Sequence, residues 1–258
     1  MTQNWIAPDA EIEEGCHIGD AARIHGNVHL GRGSTVEDFC VLGHPAGGPR
    51  SGQKLHIGGS ALVRSHSVLY QGSTLGPGLE TGHHVVIREG TSAGQNLRVG
   101  NFSDIEGECE IGDFCRFHGY VHIGRGSRIG SFVWLFSQTT LMNDPLPPSR
   151  LARPVTVEDG VVIGVAGLIM PGAVLRTGAF VASGTRVAGE VRMGAVVEGP
   201  ETREVTHVSF LADLPEGLRH PWMNHFADAY PPEAQDRIAV LARRIATSRT
   251  EFLGRRAK

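Results

Sequence analysis

No stretch of about 18 consecutive apolar residues occurs in the chain, so no segment reads as a membrane-spanning helix. Aromatic residues are scarce at 6%, and with 35 glycines and 14 prolines the composition leans away from helix and toward β structure. There is no excess of charge of one sign. Twenty-seven acidic residues nearly cancel 24 basic ones, and a net charge of -3 offers no basic field for nucleic acid or anionic lipid. The four cysteines form no Cys-x-x-Cys pair, which argues against a zinc knuckle or a redox motif. The opening "MTQNWIAPDA" lacks the basic-then-apolar build of a secretory signal, so a soluble cytoplasmic protein is expected. With 258 residues the chain holds one large domain or two small ones.

What the sequence does have is a clock. Ile6, Ile12, Ile18, Ile24, Leu30, Val36 and Leu42 fall six apart. The phase slips across "GHPAGGPRSGQKLH" and resumes at Ile57, Val63, Leu69 and Leu75. It then runs to Leu141, with only Thr81 and Ala93 breaking the run of large apolar residues. A second slip covers "MNDPLPPSRLARPVT", and a third register runs Val157, Ile163, Ile169, Leu175, Val181, Val187, Met193. A period of six fits neither an amphipathic helix nor an alternating strand. It fits a parallel β-helix in which three short flat strands make one triangular coil of about 18 residues. Residues four beyond each aliphatic are expected to turn inward at tight corners. Cys16, Cys40, Cys109 and Cys115 all hold that position, so they are expected to be small buried thiols.

The repeat lapses after Glu201. In "PPEAQDRIAVLARRIAT", Ile238, Leu241 and Ile245 recur at helical spacing behind a Pro-Glu start, which predicts an amphipathic helix able to cap the open end of the coil. The expected organisation is an all-β, parallel β-helix over 1–200, with loop excursions near 43–56 and 142–156, followed by a C-terminal α-helical extension over 201–258.

The hexads, together with "TGHHVVIREG", "CRFHGYVHIG" and "WLFSQTTLMNDPLPPS", resemble the left-handed β-helix hexapeptide-repeat acyltransferases, over roughly residues 6–197. The resemblance implies a left-handed coil. It also implies an acyl-CoA co-substrate such as acetyl-CoA, a sugar or nucleotide-linked sugar acceptor, a homotrimer with sites between subunits, and no metal.

Candidate residues come from columns 18 apart along the coil. His118 and His122 are predicted to point outward from one flat face. His66, His84, Phe102, Tyr120 and Gln138 make one outward ladder, and Asp104, His122 and Thr140 another. A carboxylate one rung from a histidine can fix its tautomer and raise its basicity. His118 stands above Gly100 and Gly82, a wall with no side chain to obstruct an extended ligand, and is the expected general base. His84 and Tyr120 stand beside it, with His122 held by Asp104. Histidine two beyond an aliphatic, the usual place in acyl-lipid relatives, is His83 here. His66, Tyr120, Arg88, Glu89, Asn143 and Asp144 are expected at the acceptor, and Arg176, Arg186 and Arg192 at the coenzyme phosphates. His44 and Arg50, on the first excursion, could reach a diphosphate. Two other classes compete. A γ-class carbonic anhydrase would bridge three histidines around zinc, but the ligand spacing is absent. The other is a non-catalytic assembly module built on the same coil.

Overall fold

A computed structural model describes residues 4–213 and 215–256. Most hexads fold into a short strand that ends on its aliphatic residue, and these strands stack into three parallel sheets. The first sheet runs from Trp5–Ile6 to Arg186–Val187 and the second from Glu11–Ile12 to Glu190–Val191. The third begins at His17–Ile18 and ends on a strand, Ala195–Glu198, that pairs antiparallel with Arg203–His207. The coil is a left-handed parallel β-helix.

The register is set by the clock. Asp104 pairs with His122 and His122 with Thr140, while Ile105, Ile123 and Leu141 stack behind them. The aliphatic column and the four-beyond column together fill the prism, in which Ile105, Ile123, Leu135 and Ile163 are fully buried. Each such side chain contributes about 1.5–3 kcal/mol of transfer free energy, set against the ordering of the chain. Thr81 fits the core because its hydroxyl accepts the Arg64 backbone N–H at 2.9 Å, so the buried polar atom is satisfied.

The thiols follow the same logic, with one difference. Cys40, Cys109 and Cys115 are buried, and burial pushes Cys40 up to about 11 and Cys115 up to about 12. Cys16 is only half-buried, because the coils at this end have little packed beneath them. A maleimide applied to the native protein is therefore expected to label Cys16 while the other three react only on unfolding. Rapid native labelling of Cys109 or Cys115 would contradict the register.

Two expectations are corrected. Val191, not Met193, is the inward residue of the last coil: Leu175 pairs with Val191, and Met193 is half-exposed. The coil is shortened there at Gly189, whose φ of +74 permits a tighter turn. The C-terminal helix also does not cap the end. Helix α1 (Met223–Phe226) and helix α2 (Gln235–Arg256) lie against the side of the prism. Along α2, Arg237 reaches Asp113 and Ser131, Leu241 packs at Gly160, Ile245 at Gly178 and Ser248 beside Gly194. A helical turn rises about 5.4 Å and a rung about 4.8 Å, so successive turns can address successive coils. The exposed edge of the third sheet is covered instead by Arg203–His207.

Both interruptions of the clock leave the first sheet and rejoin the second, at the same corner. One lies between Val41–His44 and Leu55–Ile57, the other between Thr140–Leu141 and Thr156–Val157. No helix among the described residues is long and apolar enough to cross a membrane.

Candidate active site

Two columns of the third sheet, read in register, line two adjoining concavities of the surface. Just before each aliphatic the outward residues run Glu80, Arg98, Arg116, Trp134, Val162, Phe180. Just after it they run Gly82, Gly100, His118, Phe136, Gly164. Charge gives way to aromatic surface between Arg116 and Trp134, and His118 meets Phe136 at the same level.

The charged half is a groove of about 500 Å³, lined among others by Arg64, Glu80, Arg98, Arg116, Asn101 and His118, with Gly82, Gly100 and Gly119 in its lining. The glycines are structural as well as permissive: a Cβ on Gly100 would come within 2.4 Å of the His118 carbonyl carbon. Three guanidiniums face one carboxylate. Glu80 bonds Arg64 at 2.9 Å and Arg98 at 3.2 Å. Arg116 is buried, donating to the Asn96 side-chain oxygen at 2.8 Å and lying 4.8 Å over the Tyr230 ring, so burial lowers its pKa. The groove thus keeps a cationic surplus that suits a phosphate or carboxylate.

His118 is fixed at its backbone, whose N–H donates to the Leu135 carbonyl at 2.8 Å and whose carbonyl accepts the Ser103 hydroxyl at 3.0 Å. Its ring stacks on Phe136 at 4.4 Å, and burial alone lowers its pKa, favouring the neutral imidazole that can accept a proton.

The expected single face for both histidines is not what forms. His118 follows the third-sheet strand Arg116–Phe117, whereas His122 lies in the first-sheet strand His122–Ile123. The corner between them carries Tyr120. Two residues that both point outward need not share a face when the prism turns between them. The expected carboxylate pair does form: His122 Nδ1 lies 2.9 Å from Asp104, and this hydrogen bond raises the His122 pKa.

The ring ladder stacks in the expected column, but along a corner of the prism and not on a flat face with His122. His66 stacks on His84 at 4.7 Å, His84 on Phe102 at 4.9 Å, and Phe102 on Tyr120 at 5.2 Å. All four have φ near +60, a left-handed conformation unusual for ringed residues, and the continuous stack of rings offsets that strain. His83, beside this corner, bonds the Ser65 hydroxyl at 2.8 Å.

The remaining candidates are dispersed. Glu89 is buried, and although burial pushes its carboxyl up, its own backbone N–H together with Arg125 and Arg88 hold it below the ordinary range. With Arg50 bonded to Glu108 at 2.6 Å, this network ties down the first excursion. The His44 ring packs tilted against Tyr70, with centroids 4.6 Å apart. Asp144 accepts from the Ser149 N–H at 2.7 Å and the Leu146 N–H at 2.9 Å, organising its own turn, and Asn143 faces Glu106 at 3.4 Å. Arg176 is held between Glu158 and Glu190, each at 2.8 Å, and Arg192 is bonded to Glu204. Arg186 stands exposed on the first sheet, away from these two. Among the described residues no group of three or more histidine, cysteine, aspartate or glutamate side chains could hold a metal ion.

Sequence reasoning missed the aromatic residues beside His118. Trp134, Phe136, Phe180, Trp222 and Phe226 line a second cavity next to the groove. Trp134 and Phe180 were visible as an outward column 18 residues per coil apart once the second excursion is allowed for. The rings from the extension carry no repeat and had no such signal.

No family model matches the chain. Over 182 residues it is 28% identical to the bifunctional protein GlmU of Alkalilimnicola ehrlichii, an alignment covering 70% of this chain and 32% of that protein. Over 93 residues it is 33% identical to the 2,3,4,5-tetrahydropyridine-2,6-dicarboxylate N-acetyltransferase of Staphylococcus aureus, covering 36% of this chain and 33% of that one. The chain spans about a third of the length of the curated relatives it matches. Among solved structures, the UDP-N-acetylglucosamine acyltransferase of Arabidopsis shares the fold with a TM-score of 0.53 at 18% identity, covering 79% of this chain and 73% of that one.

Proposed function

We propose that this left-handed hexapeptide-repeat protein is an acyl-CoA-dependent acyltransferase, acting on an amino or hydroxy group of a sugar or nucleotide-linked sugar, with His118 as the general base. The observation that carries the reading is the position of His118: a half-buried, neutral imidazole where a cationic groove meets an aromatic cavity. The Staphylococcus aureus relative named as an N-acetyltransferase and the Arabidopsis neighbour named as an acyltransferase support the reaction class, and the surplus of guanidinium charge in the groove supports a phosphate-bearing ligand.

The chemistry is short because a thioester is already activated. The acceptor nitrogen or oxygen attacks the thioester carbonyl carbon. Its proton passes to a His118 ring nitrogen, the C–S bond breaks, and the proton returns to the departing thiolate. The Gly119 N–H, beside His118, suits support of the oxyanion. Asn101 and the guanidiniums of Arg98 and Arg116 hold the acceptor. Of the three arginines read for the coenzyme, Arg186 is the one exposed without a carboxylate partner among the described residues.

A second assignment of the base has one observation in its favour: the Asp104–His122 pair at 2.9 Å. The two assignments differ in sign. His118 is lowered from 6.5 and His122 raised from it. If His118 is the base, kcat/KM holds a plateau above the His118 pKa and falls as pH drops through a midpoint below 6.5. A midpoint above 6.5 moves the base to His122.

The active form is proposed to be a homotrimer. The rings of Phe39, Phe102 and Tyr120, about half exposed along one corner, supply apolar surface that adjoining copies would cover. Sedimentation velocity is expected to show three copies of the chain. A fully active monomer contradicts this.

A further inference from the structure

The aromatic cavity adjoining the groove has no task in the transfer of an acetyl group. It measures about 520 Å³ and lies between the outer face of the third sheet and the C-terminal extension. The coil supplies Trp134, Phe136, Val162, Val165 and Phe180 to its wall, and the extension supplies Trp222 and Phe226. Of its polar atoms, the indole nitrogens of Trp134 and Trp222 and Nδ1 of His220 are buried, and Ser183 and His225 are the other polar side chains of its lining. His225 Nδ1 is engaged with the Arg219 carbonyl at 2.8 Å.

The cavity adjoins the groove. Trp134 and Phe226 line both, and Phe136, which lines the cavity, carries the stacked ring of His118. A thioester carbonyl set beside His118 therefore has its acyl chain directed past Trp134 into the cavity. We propose that this chamber takes the hydrocarbon tail of the acyl donor, so that the donor is a fatty acyl thioester rather than an acetyl thioester. The inference rests on the acyltransferase reading and adds to it the class of donor.

Two other occupants fit less well. An acetyl group would leave most of 520 Å³ of apolar wall in contact with water. A nucleobase would stack on the rings but would bring several hydrogen-bonding edge atoms into a wall that is mostly carbon, and leaving them unpaired is unfavourable. A saturated chain carries no such groups and gains from each methylene buried.

The test is equilibrium binding to the full chain, followed by tryptophan fluorescence and calorimetry, with decanoyl-CoA, acetyl-CoA, free CoA and UDP as separate titrants. Burial of the added methylenes is expected to make decanoyl-CoA bind more than about 100-fold more tightly than acetyl-CoA. Val165→Trp, a substitution at an exposed position on the chamber wall, is expected to bring the ratio of the two affinities close to one. Phe226→Ala, which opens the shared wall, is expected to reduce it. Melting temperatures establish that both variants fold.

Equal binding of decanoyl-CoA and acetyl-CoA by the wild type overturns the chamber while leaving acyl transfer intact. UDP that binds in competition with decanoyl-CoA, and is weakened by Val165→Trp, overturns it in favour of a nucleobase. Failure of every CoA ester to bind overturns the acyltransferase reading and the chamber with it.

Discussion

Replacing His118 with alanine is expected to lower kcat by roughly 100- to 10,000-fold, the range typical for loss of a positioned general base. The effect should fall on kcat more than on KM, because the ring is proposed to act on a proton in flight rather than to hold the substrate. The backbone of His118 is secured through Leu135 and Ser103, so the variant should keep its coil and melt close to the wild type. His122→Ala and His84→Ala, measured beside it, separate the columns. His122 sits on the neighbouring face, and His84 is stacked between His66 and Phe102, so each should cost much less. If His118→Ala turns over normally and His122→Ala does not, the Asp104–His122 pair is the catalytic one. If all three remain active, an acceptor amine is reacting without a protein base.

The second large effect is on stability. Ile245 is fully buried where α2 crosses the prism, and its Cδ1 lies 2.5 Å from the point a Cβ on Gly178 would occupy, so helix and coil interlock there without spare room. Ile245→Ala is expected to cost about 2–5 kcal/mol, because the rigid coil cannot collapse into the void. Trp134 and Trp222, which meet edge to face at 6.1 Å across the same seam, report release of the extension by fluorescence during denaturant unfolding. Coils contact only their neighbours, so the extension should detach before the prism melts. A loss below about 1 kcal/mol would mean that α2 contributes little to holding the extension in place.

How much of this was legible in the sequence depends on whether a residue belongs to the repeat. The columns of Ile105, Ile123 and Leu141, the ring ladder from His66 to Tyr120, and the Asp104–His122 pair all follow from adding 18, because rung spacing leaves a side chain no other vertical neighbour. The face on which a residue lies was less secure. His118 and His122 are four apart and both point outward, yet the corner at Tyr120 separates them, and hexad position has to be combined with strand order to see it. Met193 failed because a two-residue deletion shifts the phase within one coil, and Val191 takes its place.

The extension was the hardest part. Its helix was visible from Ile238, Leu241 and Ile245, but the surface against which those residues pack was not, since a helical stripe says that a face is buried and not by what. The part of the aromatic wall formed by Trp222 and Phe226 follows from that docking, and so does the side of the groove at His118 closed by Phe226 and Tyr230. Arg176, Asp144 and Glu89 illustrate the reverse case. Each looked available as a lone charged residue, yet coil stacking brings Glu158 and Glu190 to Arg176 and Arg125 to Glu89, and Asp144 is engaged by Leu146 and Ser149 of its own loop.

Acyl groups are proposed to leave a thioester at this surface for an acceptor bound in the groove. The most direct measurement follows free thiol release from acetyl-CoA and decanoyl-CoA in the presence of a panel of nucleotide-linked aminosugars, with the acceptor read by mass spectrometry in the same samples. Acceptor-dependent thiol release matched one-to-one by an acylated sugar is expected, with loss of both signals in His118→Ala. Thiol release that does not depend on any acceptor, or none with any donor and acceptor pair, would contradict that transfer.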